Sequence, residues 1–508
     1  MRNHAGVLRI LALVLVLGML TAAFAACGAP AQDNETKGPG DETADSGEKT
    51  SETKPVEEEE TREDYLASFP AGDYGNETIT ILCRTSKSYE VYADHTTGDI
   101  VNDAILDRNS RIQEMYNVRI DHYDVPGTWN DQSTFMSAVK NGIMGGEEPF
   151  DIVAGYLAYC ATLAMQGYFL NLRNIDTIDM DKPWWTQGFV QNNTIQDCLY
   201  FGIGDISLTM WEGIYALFYN KQIAQENNVE NLYDLVDAKA WTLETFMDIV
   251  NDVGADLNGD QEYTNEDLYG FLTNRHSVRT FVTSCDIPMC TRTSDGLFEL
   301  TYFSDKLVEL YDTIEPFINK NNSTFFSVPK DDSDVEEMVS MFMSDQALFM
   351  SETLEVGTMI RNMKSDFGVL PFPLYDESQE NYKAHSYDGL SIFCIPTSSG
   401  DRTEMSARIM DALCAESSYS VVPVFYDSVM KYKVSRDMDS IRMLNLIRSC
   451  LYFDFGFVHA VPIGGLFQIF GDEIVNKNPS ITSTYKSNES KYESKLQDIL
   501  DAYTALAD

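Results

Sequence analysis

The chain is short of positive charge. Its 508 residues hold 36 Lys+Arg against 80 Asp+Glu, a formal net charge of −44. Nucleic acid and anionic membrane surfaces are recognised through cationic patches, so neither is expected as a partner. Histidine is scarce as well. His4 lies near the start, and His95, His122, His276, His385 and His459 are scattered, none with a metal-ligand partner at helical spacing. No nucleophile-elbow motif and no phosphate-binding glycine loop occurs. Paired carboxylates are too common in so acidic a chain to single out an acid–base couple. No catalytic set is therefore assigned. Cysteine is modest at nine residues. Cys83, Cys160, Cys394 and Cys414 sit in apolar runs and read as small buried hydrophobes. Cys285 and Cys290 are close enough in sequence to pair, but no disulfide framework emerges.

What is present starts at the N-terminus. Arg2 and Arg9 precede an apolar run from Ile10 to Leu20, followed by Ala22, Ala23, Ala25, Ala26 and then Cys27. A basic start, an apolar stretch and small residues before a cut make a secretory signal. Phe24-Ala25-Ala26-Cys27 resembles the bacterial lipobox, departing from it at Phe24, where a smaller aliphatic residue is usual. Residues 1–26 then form a lipoprotein signal peptide, and Cys27 is the lipidation site. The alternative is an uncleaved anchor, for which the run is near the lower limit of roughly 17–25 residues. Either way the remainder works outside the cytoplasm, on the extracellular face of the membrane. Between Gly28 and Asp64 there are 13 acidic and 4 basic residues and no apolar side chain larger than that of Val56. Such a stretch cannot bury enough apolar surface to fold, and its like charges extend it. Residues 27–76 are expected to be a disordered acidic tether.

The body of about 430 residues is too long for one core, so two lobes are expected. Thr78–Cys83 reads as a strand, Ile100–Tyr116 as a helix, Val118–Val125 as a strand and Phe135–Met144 as a helix, with a buried strand at 150–154. That alternation implies a parallel sheet with helices on its faces. Ligands of such sheets sit beyond the carboxyl ends of the strands, which singles out Tyr156 and Tyr159. Leu199 to Tyr219 reads as a pair of strands around Gly202–Asp205. Asn220-Lys221 begins a helix, and Thr242 caps another.

A resemblance rests on several of these segments. Asp151-Ile152-Val153, Gly167-Tyr168-Phe169-Leu170-Asn171-Leu172, Leu217-Phe218-Tyr219-Asn220-Lys221 and Trp241-Thr242 follow in order. Ala347-Leu348-Phe349-Met350 and Phe367-Gly368-Val369-Leu370-Pro371-Phe372-Pro373 come after them. Together they resemble the extracellular solute-binding proteins, family 1, of ABC importers, the group that includes maltose-binding proteins. The resemblance implies an α/β, two-lobed periplasmic-binding-protein-like fold (type II) with a hinge. An N-terminal lobe of 77–213 plus 345–394 would face a C-terminal lobe of 214–344 plus 395–508. It further implies capture of a solute, an oligosaccharide foremost, between the lobes and delivery to ABC permease subunits, without catalysis and without a cofactor.

Sugar rings have apolar faces and polar rims, so flat aromatics flanked by polar side chains are the candidate ligand contacts. Trp211 is the foremost, with Trp184 and Trp185 next, then Tyr156, Tyr159 and Trp129, and Tyr387-Asp388 at a later crossing of the chain. Each could equally be an ordinary core or surface aromatic. Asp256 to Asp267 resembles a calcium loop, with Asp256, Asn258, Asp260, Glu262 and Asp267 as candidate oxygen ligands. Gln261 stands where such loops carry glycine, and Asp267 is shorter than the usual Glu. A structural calcium site and a plain acidic turn both remain open. The rival functional class is a secreted, lipid-anchored carbohydrate-active enzyme. A receptor for a peptide or polyamine is a third reading.

Overall fold

A computed structural model describes residues 69, 72–145, 150–328, 333–428 and 437–507. The signal peptide, Cys27 and nearly all of the tether lie outside the described residues. The last part of the expected tether belongs to the body: the Tyr74 N–H donates to the Tyr116 carbonyl at 3.0 Å, and the two rings stack at 6.2 Å.

The first sheet is built as the strand–helix alternation requires. β1 (Glu77–Arg84) pairs in parallel with β2 (Val118–Val125) along its full length, from Glu77 opposite Val118 to Arg84 opposite Val125. It pairs on its other side with β3 (Ile152–Tyr156), also in parallel. The helix Ile100–Tyr116 makes the first crossover. Asp99 caps it by accepting from the N–H groups of Val101 and Asn102, and Asn117 closes it in the left-handed conformation at φ 48°. The helix Gln132–Gly145 makes the second. β2 is the edge strand and keeps polar residues outward, whereas every side chain of β3 is buried.

The second sheet has five strands in the order β10 (Phe367–Leu370), β4 (Tyr215–Asn220), β9 (Ala347–Thr353), β5 (Tyr269–Asn274), β8 (Thr324–Ser327). β5 runs parallel to β8 and β9, and β4 antiparallel to β9 and β10. A small hairpin of β6 (Cys290–Arg292) and β7 (Phe298–Leu300) stands apart. β11 (Ser391–Cys394) returns to the first sheet, antiparallel to β3. The architecture is α/β with two lobes, one on each main sheet.

The lobe boundaries differ from expectation. Segment 345–394 was expected in the N-terminal lobe, yet β9 and β10 hydrogen-bond into the five-stranded sheet and only β11 joins the first. Likewise Arg402, from the segment expected in the C-terminal lobe, ties itself to the first sheet through Asp151 Oδ1 at 2.6 Å and the Thr78 carbonyl at 2.6 Å. The expected strand pair at 199–219 is a single strand. The stretch before β4 makes isolated bridges, such as Gly202 with Phe393, and then winds into the short helix Leu208–Glu212. All eight cysteines from Cys83 onward, Cys285 and Cys290 included, are free thiols. Among the described residues no helix is long and apolar enough to cross a membrane.

Candidate functional site

Both sheets aim the same end at the place where the chain passes between them. In the first sheet Arg84 ends β1, Tyr156 ends β3, and Ser391 opens β11 opposite Tyr156. In the second, Asn274 ends β5, Thr353 ends β9, and Tyr215 opens β4 opposite Thr353. The crossing strands meet there too. The Tyr215 N–H donates to the His385 carbonyl at 2.9 Å, the Tyr387 N–H to the Gly213 carbonyl at 2.8 Å, and the Leu354 N–H to the Ile214 carbonyl at 2.9 Å. This seam is where an open α/β architecture places a ligand.

Several sequence-derived candidates converge on it. The Tyr156 and Tyr159 rings stack at 4.6 Å, and the Trp129 ring lies 6.0 Å from one and 6.4 Å from the other. Trp129 is half exposed, at 51%. The Tyr156 hydroxyl donates to Asp388 Oδ1 at 2.9 Å, and the Tyr159 hydroxyl to the Thr128 carbonyl at 2.5 Å. Tyr387 lies half-buried between two glycines. A Cβ on either Gly213 or Gly389 would run into its ring, so the missing side chains make room for it.

Residues outside those candidates complete the group. The Arg84 guanidinium lies over the Tyr156 ring at 5.2 Å and donates to Ser391 Oγ at 2.8 Å. Tyr89 donates to Glu212 at 2.5 Å, with Lys87 3.8 Å away. On the second lobe Asn274 donates to Glu352 at 2.5 Å, and Arg279 lies buried nearby. Burial pushes the Glu352 and Glu90 carboxyls up to about 7 and raises those of Glu212 and Asp388. For Asp388 the Tyr156 hydroxyl and the Arg279 and Arg84 charges oppose that rise. Arg84 and Arg279 had a signal in the sequence. Arg84 closes a buried strand and Arg279 stands five residues past another, the position that drew attention to Tyr156.

Three foremost candidates are elsewhere. Trp184 and Trp185 are core residues: they are 1% and 0% exposed, and both indole N–H groups donate to Asp411 Oδ1, at 2.6 and 2.8 Å. Trp211 is 9% exposed and lies under the Arg448 guanidinium at 4.4 Å, its Nε1 without a hydrogen-bond partner among the described residues. Trp184 and Trp185 offer no free ring face, and the same burial limits Tyr156, 8% exposed between the Arg84 guanidinium and the Tyr159 ring, and Tyr159, 0% exposed, so Trp129 and the half-buried Tyr387 are the rings of the group with surface to offer. The acidic loop closes on itself. Asp256 accepts from the Gly259 and Gln261 N–H groups at 2.6 and 2.9 Å, and Asp267 from Leu257 and Thr264 at 3.0 and 2.8 Å. Asn258 and Asp260 serve the N–H groups of Asp260 and Glu262. Among the described residues no three His, Cys, Asp or Glu side chains converge as a metal site.

No family model and no curated protein matches the chain. Solved structures do. UspC of M. tuberculosis is 14% identical with a TM-score of 0.53, over 82% of this chain and 100% of that one. A sugar transporter of Rhizobium etli, in an open conformation, is 12% identical with a TM-score of 0.52, over 84% and 99%. An ABC transporter solute-binding protein of Thermotoga lettingae, bound with α-D-tagatose, is 13% identical with a TM-score of 0.51, over 84% and 100%. At these identities the likeness is one of fold: this chain has the two-lobed architecture of such binding proteins.

Proposed function

We propose that the chain is the extracellular substrate-binding component of an ABC importer, and that it grips a carbohydrate, an oligosaccharide foremost, in the seam between its lobes. The observation that carries this reading is the meeting of Trp129, Tyr156 and Tyr387 with Arg84 and Asp388 at the carboxyl ends of the first sheet, against the hinge strands. Flat rings take the apolar faces of a sugar at little entropic cost, and the charged rim takes its hydroxyls. Two structural neighbours, a solute-binding protein bound with α-D-tagatose and a sugar transporter, agree with this assignment. Lobe closure over the solute presents a surface to permease subunits. Cys27 carries the lipid that keeps the receptor at the outer membrane face.

The test is a thermal-shift and calorimetric screen of the protein against oligosaccharides, peptides and polyamines, with the ligand recovered and weighed by mass spectrometry. The expected outcome is a saturable stabilisation by one carbohydrate class and recovery of that carbohydrate unchanged. Release of cleavage products would overturn the reading in favour of an enzyme. Stabilisation by peptides or polyamines alone would overturn the ligand class.

A further inference from the structure

Two buried arginines at the seam have donors to spare. Arg84 is 3% exposed, and its Nε has no hydrogen-bond partner among the described residues. Its Nη2 is committed to Ser391. Arg279 is 5% exposed, and among the described residues neither its Nε nor its Nη2 has a hydrogen-bond partner. Nη2 has only the Asp472 carboxylate at 3.7 Å, beyond hydrogen-bonding distance, and the guanidinium rests over the Phe467 ring at 5.5 Å. A guanidinium keeps its proton, so a buried one with idle N–H groups carries a standing cost that an acceptor would remove. The two come from different lobes, one at the end of β1 and one just past β5. Their charges both act on Asp388, the carboxylate that already accepts from Tyr156.

The carboxylates around them leave those donors open: Asp388 accepts from Tyr156, and Asp472 stands 3.7 Å from Arg279 Nη2. Burial pushes Glu90 and Glu352 up to about 7, so near neutral pH these two carry less than full negative charge. Within a chain of net charge −44 the seam thus keeps two buried guanidiniums with open donor positions. Arginine's planar fork matches a carboxylate in two-pronged fashion better than it matches a lone hydroxyl.

Resting on the carbohydrate-receptor reading, we infer that the solute is an acidic sugar, a uronate-containing oligosaccharide whose carboxylate is taken between Arg84 of one lobe and Arg279 of the other. Closing the lobes brings the two guanidiniums onto one anionic group, so the charge both selects the ligand and favours the closed state. The aromatic faces of Trp129 and Tyr387 would hold the rings on either side of it.

The experiment compares matched probes on the full chain by calorimetry: digalacturonate against galactobiose, with free acetate and sulfate as bare anions. The expected result is binding of digalacturonate at least roughly tenfold tighter than galactobiose, the scale of one charge-assisted hydrogen bond, weakening with salt, and no binding of acetate or sulfate. Arg84→Gln and Arg279→Gln should each collapse the preference, while Arg84→Lys should keep part of it. Because Arg279 is buried, the melting curve of Arg279→Gln is recorded alongside, and the Arg84 pair decides if it unfolds. Equal or tighter binding of galactobiose would overturn the acidic-sugar inference and leave the receptor reading standing. Acetate or sulfate binding alone would reduce the pair to a bare anion site and overturn it as well. Cleavage of either disaccharide would overturn the receptor reading itself.

Discussion

Trp184 and Trp185 are sealed in the core with both indole N–H groups spent on the Asp411 carboxylate, and the Trp185 ring closes over Gly202 and Gly204. Trp129 keeps half its surface in solvent, and its aromatic neighbours Tyr156 and Tyr159 direct their hydroxyls to Asp388 and to the Thr128 carbonyl, with Arg84 over the Tyr156 ring. Both sets carry large aromatic area, but they use it differently. The first set spends that area on holding the fold, and its polar atoms are satisfied internally. The second buries Tyr156 and Tyr159 but leaves the Trp129 ring open beside them at the junction of two sheets, where area gained by a ligand costs the fold little.

The widest separation between the two sets should come from truncation. Trp185→Ala is expected to cost about 3–5 kcal/mol of stability, the range for removing a large core aromatic. Whatever protein remains folded should bind ligand as before. Trp129→Ala should change stability by less than about 0.5 kcal/mol, as at an exposed position, yet weaken ligand binding by about tenfold or more, since a stacked ring is worth over 1 kcal/mol. Denaturant titration and calorimetry on both variants check this. Equal losses of affinity in the two would erase the distinction.

Gly213→Ala probes the junction between fold and site. The added methyl runs into the Tyr387 ring, while the backbone at φ −84° tolerates it, so the cost is steric and falls on the ring. The expected loss is about 1–3 kcal/mol, together with lowered affinity. In Gly213→Ala combined with Tyr387→Leu, the smaller side chain should restore most of the stability and none of the affinity. A double-mutant cycle on stability and on binding separates the two effects. Restored affinity in the double variant would remove Tyr387 from the site.

Much of this arrangement was readable beforehand. The strand–helix alternation of 77–156 fixed a parallel sheet, and the carboxyl-end rule picked Tyr156 and Tyr159. The same rule, applied to each strand in turn, reaches Arg84 and Arg279. The lobe limits were not readable, because β9, β10 and β11 follow one another in the chain as similar apolar runs, and only long-range hydrogen bonding decides which sheet each joins. Trp184, Trp185 and Trp211 misled for a related reason. Their polar neighbours in sequence suggested a wet rim, but the partners that bury them, Asp411 and Arg448, come from more than 200 residues away.

Glu352 sharpens the contrast through pH. Its carboxyl is pushed up to about 7 from the ordinary 4.5, first by burial, against the pull of the Thr353 N–H and of Asn274. The folded state therefore holds this proton more tightly than the unfolded one. The penalty is absent below about pH 4.5, grows as pH rises, and is complete above about 7. Glu352→Gln should accordingly stabilise the protein by about 1–3 kcal/mol at pH 8 and leave it unchanged or weaker at pH 4.5. Buried His385 acts with the opposite pH trend. Burial pushes it down to about 3, so its contribution is complete above about 6.5 and fades as pH falls toward 3. Melting temperature against pH for parent and variant tests the Glu352 assignment, and a difference that does not vary with pH would refute it.

The smallest effect is expected at the acidic loop, where the two uses of polar groups can be told apart without any ligand. The Asp256, Asn258, Asp260 and Asp267 side chains each accept loop N–H groups, and the Asp267 carboxyl is held below the usual range by the Thr264 and Leu257 N–H groups. Like Asp411 in the core, these side chains serve their own backbone. A cation that does not bind the native state cannot stabilise it, so EDTA and added calcium should each leave the melting temperature unchanged to within about 1 °C. The strain in the loop lies at Gln261, which holds φ at 69°, a conformation that costs most residues and suits glycine. Gln261→Gly should relieve it and raise stability by up to about 1 kcal/mol, again with no response to calcium. A calcium-dependent rise in melting temperature, in either the parent or this variant, would show that the loop acts on an outside partner as the seam does.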